Sequence, residues 1–237
     1  MVRVQTEPLL AYVLHTRPYR DTSVLADFLT AELGLVRAVV KGVRRLSGKA
    51  SAVRCEPFTP LNLSFTGRGS LKSAWQLEAI GAPLGLKGKH LFAAMYVNEL
   101  LLRALHEGDP YPDLVRAYQW VLGELEQGAD IEASLRPFEH SLLNEMGYGI
   151  DLYHDVNGEP LVAAERYCFQ PEMGFVPGEA RGLSWSGAEL AHLGEWNLTD
   201  QQTRRHAKQL LRQALLPLVG DKPLVSRELF SGASHND

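Results

Sequence analysis

Residues 61–79, LNLSFTGRGSLKSAWQLEA, decide the fold. Leu61, Leu63 and Phe65 alternate with Asn62, Ser64 and Thr66, the period-two pattern of a strand buried on one face. Gly67-Arg68-Gly69-Ser70 supplies turn residues, and the return strand sets Leu71, Trp75, Leu77 and Ala79 on one side and Lys72, Gln76 and Glu78 on the other. The pattern recurs upstream. An apolar run over 9–14 leads into Arg17-Pro18-Tyr19-Arg20, and 22–30 alternates with Val24, Ala26 and Phe28 on one side. After Glu32-Leu33-Gly34, read as a hairpin turn, 35–41 alternates again, with Val36, Ala38 and Val40 facing one way and Arg37, Val39 and Lys41 the other. Short strands in close succession, with no helical run between them, predict a small closed barrel of OB type over 1–81; a small antiparallel sandwich is the structural alternative. On this alternation Phe28, Phe65 and Trp75 belong to the core.

Residues 82–237 read as helical. A connector rich in Gly and Pro, 81–88, gives way to a helix with Phe92, Met95, Tyr96, Leu100, Leu101 and Leu105 over most of its surface and a narrow stripe of Glu99, Arg103 and His106. Asp109-Pro110-Tyr111-Pro112 ends it, and the next helix buries Leu114, Tyr118, Val121 and Leu125. A third spans 131–146, with Ile131, Leu135, Phe138 and Leu142 buried and Pro137 marking a kink or the true start. The pattern dissolves at about 149–185 into a loop-rich insertion with a short hairpin. Helical signals return at 186–193 and at Thr199, where Thr199 and Gln202 have capping-box spacing. The fold class is α+β, a barrel followed by a helical bundle that carries an insertion.

The chain of 237 residues has a net charge of −4, but the charge is divided. Residues 1–90 hold thirteen Lys and Arg against six Asp and Glu, whereas 91–237 hold eleven against twenty-two. Screening confines a binding field to about 8 Å at physiological salt, so the local sign governs partners. The basic charge is densest over 37–54, RAVVKGVRRLSGKASAVR, where Arg37, Lys41, Arg44, Arg45, Lys49 and Arg54 stand with no acidic residue among them. Arg37 and Lys41, four apart on a strand, project together; Arg44 to Arg54 form a basic loop beside them. Arg17, Arg20, Arg68 and Lys72 extend the patch, and Tyr19 is the best stacking candidate. Such a face matches the groove that tracks a single-stranded backbone. A solvated charge run is the structural alternative.

Catalytic chemistry finds little support. The eight histidines are scattered, with no H-E-x-x-H, and Gly67-Arg68-Gly69-Ser70 lacks the Gly-Lys-Ser/Thr ending of a P-loop. Asp151, His154 and Asp155 are a weak metal candidate, and Cys168 reads as a small packed thiol. Two cysteines, Cys55 and Cys168, supply neither a disulfide framework nor a four-cysteine zinc site. No run of about 20 apolar residues and no leader over 1–12 are present, so a soluble, cytoplasmic protein without catalytic residues, metal or cofactor is expected.

In sequence order, VLHTRPYRDTS (13–23), ELGLVRAVVKGVRR (32–45), PFTPLNLSFTGRGSLKSAWQLE (57–78), YVNELLLRALHEGDPYPDL (96–114), LRPFEHSLLNEMGY (135–148) and KPLVSRELF (222–230) resemble the RecO family of bacterial recombination mediators in DNA repair. The resemblance covers nearly the whole chain. It implies an OB-fold, a helical bundle and a zinc-finger-like insertion. It also implies non-catalytic binding of single- and double-stranded DNA, annealing of complementary strands, and work with RecR and the single-strand binding protein SSB in loading RecA, close to the nucleoid. Some members hold zinc in the insertion through four cysteines; here only Cys168 lies there, so a metal-free insertion is expected. The resemblance further implies capture of the acidic SSB tail by the helical domain, and Arg204, Lys208 and Arg212, at i, i+4 and i+8, are the candidate rim of such a site. An RNA-binding OB scaffold is the alternative among binding proteins.

Overall fold

The computed structural model describes residues 5–43, 55–178, 183–196 and 198–233. Arg44, Arg45, Lys49 and Arg54 lie outside the described residues. Among those described, β1 (Leu9–Tyr19), β2 (Ser23–Thr30), β3 (Gly34–Val40), β4 (Pro60–Thr66) and β5 (Lys72–Ala79) close a barrel in the order β1-β2-β3-β5-β4. All neighbours are antiparallel except β3 and β5, whose parallel pairing of Ala38 with Lys72 and Val39 with Ser73 shuts the barrel. The α+β class with an OB-like N-terminal barrel holds. Ala11, Val13, Val24, Ala26, Phe28, Val36, Ala38, Val40, Leu61, Leu63 and Phe65 fill the interior, with Phe28 edge-on to Phe65 at 5.5 Å. Cys55 joins this core, where burial pushes its thiol up to about 12. Gly34 turns β2 into β3 at φ 58°, and a Cβ there would lie 1.9 Å from the Asp109 carbonyl oxygen, so only glycine fits.

Two strands depart from simple alternation. β1 continues through Arg17, Pro18 and Tyr19, and its register with β2 shifts between Val13 and His15. β5 shifts against β4 between Asn62 and Ser64, where Gln76 takes φ 54°. The extra residue lets both Ala74 and Leu77 pack on the core, which strict alternation forbids. Trp75 and Leu71, expected inside, are therefore exposed, Trp75 by 57%.

The chain separates into two compact units, 1–127 with 224–237, and 128–223. The first unit joins the barrel to α1 (Gly88–Ala104), α2 (Pro112–Glu126) and α7 (Val225–Ala233). Its polar hinge-pin is Asn98, only 4% exposed. The β1 bulge falls at Leu14, and Asn98 Nδ2 donates to the Leu14 carbonyl at 2.8 Å. The Tyr118 hydroxyl donates to Asn98 Oδ1 at 2.8 Å, its ring stands edge-on to Tyr12 at 5.2 Å, and Gln119 Nε2 donates to the Tyr12 hydroxyl. One residue on, Glu99 accepts from Arg103, the amides of Val225 and Ser226, and the Ser226 hydroxyl. Burial opposes ionisation of Glu99, but these hydrogen bonds prevail and hold its pKa below the usual carboxylate range.

In the second unit α3 (Ile131–Glu145) starts at the Asp130 cap, and Pro137 lies inside the helix. The insertion forms a sheet of β6 (Arg166–Gln170), β7 (Gly174–Pro177) and β8 (Trp185–Ser186) in the order β7-β6-β8. Tyr167, Phe175 and Trp185 are buried, with Phe175 5.4 Å from Phe169 and 6.3 Å from Trp185. No group of three His, Cys, Asp or Glu able to hold a metal occurs among the described residues. α4 (Gly187–Gly194) begins with a complete capping box of Ser186 and Glu189. α5 (Gln201–Ala214) is capped by Asp200, which accepts from the Thr203 amide, instead of by Thr199; carboxylate caps are at least as good as hydroxyl caps, and Gln202 instead donates to Glu189. A single turn, α6 (Leu216–Val219), follows. None of the described helices is long and apolar enough to cross a membrane.

Replacing Asn98 by Ala leaves the Leu14 carbonyl and the Tyr118 hydroxyl buried without partners, an expected loss of about 3 kcal/mol of stability. Urea unfolding should show a lower midpoint at unchanged slope. A loss well under about 1 kcal/mol would mean that water replaces the amide at no cost.

Candidate nucleic-acid interface

The outer surface of β1, β2 and β3 is a grid with rows running across the strands. Because the apolar set of Val24 to Phe28 and Val36 to Val40 points inward, the residues between them point outward. Ladder register then fixes three rows. His15 lies opposite Asp27 and Asp27 opposite Arg37; Arg17 lies opposite Leu25, Leu25 opposite Val39, and Val39 beside Ser73; Tyr19 lies opposite Ser23. Val40 pairs with Val24, so Lys41, one residue on, continues the row of Tyr19 and Ser23. Leu25 and Val39 are buried, forming an apolar floor beneath the longer side chains around them.

The cations on this grid are not equivalent. Arg17 and Lys41 are exposed and form no ion pair with another described residue. Arg37 Nε donates to Asp27 Oδ1 at 2.7 Å, and its guanidinium lies 3.8 Å from Glu107. The hydrogen bond that Arg37 donates to Asp27, then the charge of that carboxylate, raises the Arg37 pKa. Asp27 is itself 6% exposed, with His15 Nδ1 at 3.9 Å on its other side. Arg37 thus shares a face with Lys41, but its charge is largely answered from within the fold. Arg20, at φ 53° after β1, lies over the Tyr19 ring at 5.2 Å, so one face of that ring is already covered. Arg68 is exposed on the β4–β5 turn. Lys72 donates to the Gly67 carbonyl at 3.3 Å and pairs with the inward-facing Ala38, which turns it away from the grid.

Sequence reasoning missed two features of this face. Asp27 was hidden because its charge matters only through the cross-strand register that sets it against Arg37. Trp75 was hidden by the bulge, since Gln76 is not one of the residue types that announce a left-handed backbone.

Two family models match the chain: recombination protein O, N terminal, over 4–83, and recombination protein O, C terminal, over 87–228. The chain belongs to the RecO family. Its relatives named DNA repair protein RecO include one from Pseudomonas aeruginosa (strain LESB58), 43% identical over 92% of each chain. Another, from Cellvibrio japonicus (strain Ueda107), is 39% identical over 98% of this chain and 99% of its own. A third, from Vibrio cholerae, is 40% identical over 92% and 91%. The RecO models meet at 84–86, in the connector before α1, whereas compactness groups α1 and α2 with the barrel.

The second candidate site of this RecO chain lies on α5. Arg204 donates to the Leu198 carbonyl at 2.5 Å and to Asp130 at 2.8 Å, and Lys208 donates to Glu132 at 2.7 Å. Both therefore tie α5 to the start of α3, while Arg212 is exposed. The depression beside them is lined mainly by polar groups, among them Gln201, Gln202, Arg205 and Gln209. The apolar residues Leu210, Leu211, Ala214 and Leu215 are buried under the helix.

Removing the acid beneath the grid releases one cation. Asp27→Asn is expected to raise affinity for single-stranded DNA a few-fold at low salt and to steepen the log–log salt dependence by up to about 0.7, one phosphate's worth. A fall in affinity, read by salt-titrated anisotropy, would show instead that Asp27 acts by aiming Arg37.

Proposed function

We propose that the chain is a recombination mediator that binds single- and double-stranded DNA without covalent chemistry. On this reading it promotes annealing of complementary strands and, with RecR, assists loading of RecA onto SSB-coated DNA. The observation that carries the reading is the exposed pair Arg17 and Lys41 on adjacent rows of one barrel face, and in sequence the basic segment 44–54 follows Lys41 closely. Membership of the RecO family and the DNA-repair names of its relatives supply the biological setting. Neutralising the phosphates of two strands lowers their mutual repulsion, and base pairing then drives annealing. Such a protein works in the cytoplasm, at the nucleoid.

The test is a salt-titrated binding measurement on wild type beside Arg44→Glu/Arg45→Glu/Lys49→Glu. The triple variant should bind at least about tenfold more weakly, with a slope shallower by roughly 0.7 for each phosphate that it no longer neutralises. Equal affinity and slope would reduce the basic segment to a solvated surface. Tighter binding of matched RNA than DNA would favour an RNA-binding module.

Arg204, Lys208 and Arg212 are proposed as the cations that receive the acidic tail of SSB. Their support is the basic face of α5 in an otherwise acidic half of the chain, and the ion pairs with Asp130 and Glu132 imply exchange of those carboxylates for the tail's own. Reversing the three charges together should weaken an SSB-tail peptide in calorimetry, and unchanged affinity would reject the assignment.

A further inference from the structure

We propose that the exposed indole of Trp75 is a stacking step for an unpaired base, by which the barrel face prefers single-stranded to duplex DNA. The inference rests on the DNA-binding reading above and names the residue that discriminates between strand forms.

The backbone turns this indole outward. With strict alternation Trp75 would join Leu77 against the core; the bulge at Gln76, φ 54°, instead sends Ala74 and Leu77 inward and leaves Trp75 57% exposed. A large aromatic held in water by a left-handed non-glycine residue is an expensive arrangement for a surface with no use for it. Its position agrees with a nucleic-acid role. Val39 pairs with Ser73, and two residues beyond that pair on each strand Lys41 and Trp75 both face outward. Tyr19, Ser23, Lys41 and Trp75 therefore follow one another around the barrel, with the two aromatics three strand spacings apart, about 14 Å along the sheet. Neither this row nor the row of Arg17, Leu25, Val39 and Ser73 contains an acidic residue. A strand crossing β1, β2, β3 and β5 meets a ring at each end and an ammonium between. Because Arg20 already covers one face of Tyr19, Trp75 is the stronger step. In a duplex the bases are stacked on one another and cannot reach the indole, whereas phosphates remain available to Lys41 and Arg17.

The full chain and its Trp75→Ala and Trp75→Phe variants are titrated, across several salt concentrations, with a labelled oligothymidylate, the same oligomer built from abasic residues, and a duplex of equal length. Trp75→Ala should weaken the oligothymidylate about tenfold. Its affinities for the abasic strand and the duplex should stay at wild-type values, as should its salt slope, and Trp75→Phe should restore most of the loss. If Trp75→Ala binds the oligothymidylate as wild type does, or loses affinity equally for all three ligands, the stacking step is overturned, and an indole that merely covers Ser64 on the neighbouring strand is what remains. Arg17→Glu/Lys41→Glu, measured in parallel, keeps the two readings apart. If it weakens all three ligands while Trp75→Ala weakens none, only the stacking inference falls. If it leaves every affinity unchanged, the DNA-binding face itself is wrong.

Discussion

A single carboxamide holds the first compact unit together. Asn98 reaches from α1 to a carbonyl of β1 and takes a hydroxyl from α2, so three elements distant in sequence are fixed by one side chain whose donor and acceptor are both used. The interaction depends on an irregularity in the strand: the bulge at Leu14 frees a backbone oxygen from the ladder, and only because it is free can a helix dock there. The docking in turn decides how much of the barrel wall is left open. Tyr12, Leu14, Leu29 and Leu35 are buried on the wall's outer side, while His15, Arg17 and Lys41, toward the other end of the wall, and Trp75 on β5 remain exposed.

On that open part the fold manages charge as well as shape. Burying Asp27 between Arg37 and His15 gives Arg37 a fixed partner, and long side chains around Leu25 and Val39 keep the floor dry. A carboxylate held this deep would be costly without its guanidinium, so the pair is a structural element first and an electrostatic one second. The long-range field is left to Arg17, Lys41 and the basic segment that follows. In the second unit Arg204 and Lys208 repeat the theme, with cations used to fasten helices.

Much of the fold was legible in the sequence, because period-two and period-3.6 burial are local properties. Val36, Ala38 and Val40, Leu61, Leu63 and Phe65, and Leu114, Tyr118, Val121 and Leu125 all lie where their spacing sends them. The failures share a cause. Trp75 and Leu71 were displaced by a bulge without a Gly or Asn to mark it, and the α5 cap moved one residue because Asp200 competes with Thr199 for the same amides. For the candidate site, spacing alone put Arg37 and Lys41 on one face. It did not reveal that Arg37 is engaged, since Asp27 is ten residues away and becomes a neighbour only through the β2–β3 register.

The described part of the insertion is packed around the rings of Tyr167, Phe175 and Trp185, with only short strands to frame them. Apolar burial carries a large heat-capacity change and weakens on cooling. A segment ordered this way gives its packing a thermal character: its rings lose part of their hold in the cold, where the hydrogen-bonded joint at Asn98 does not depend on the same term.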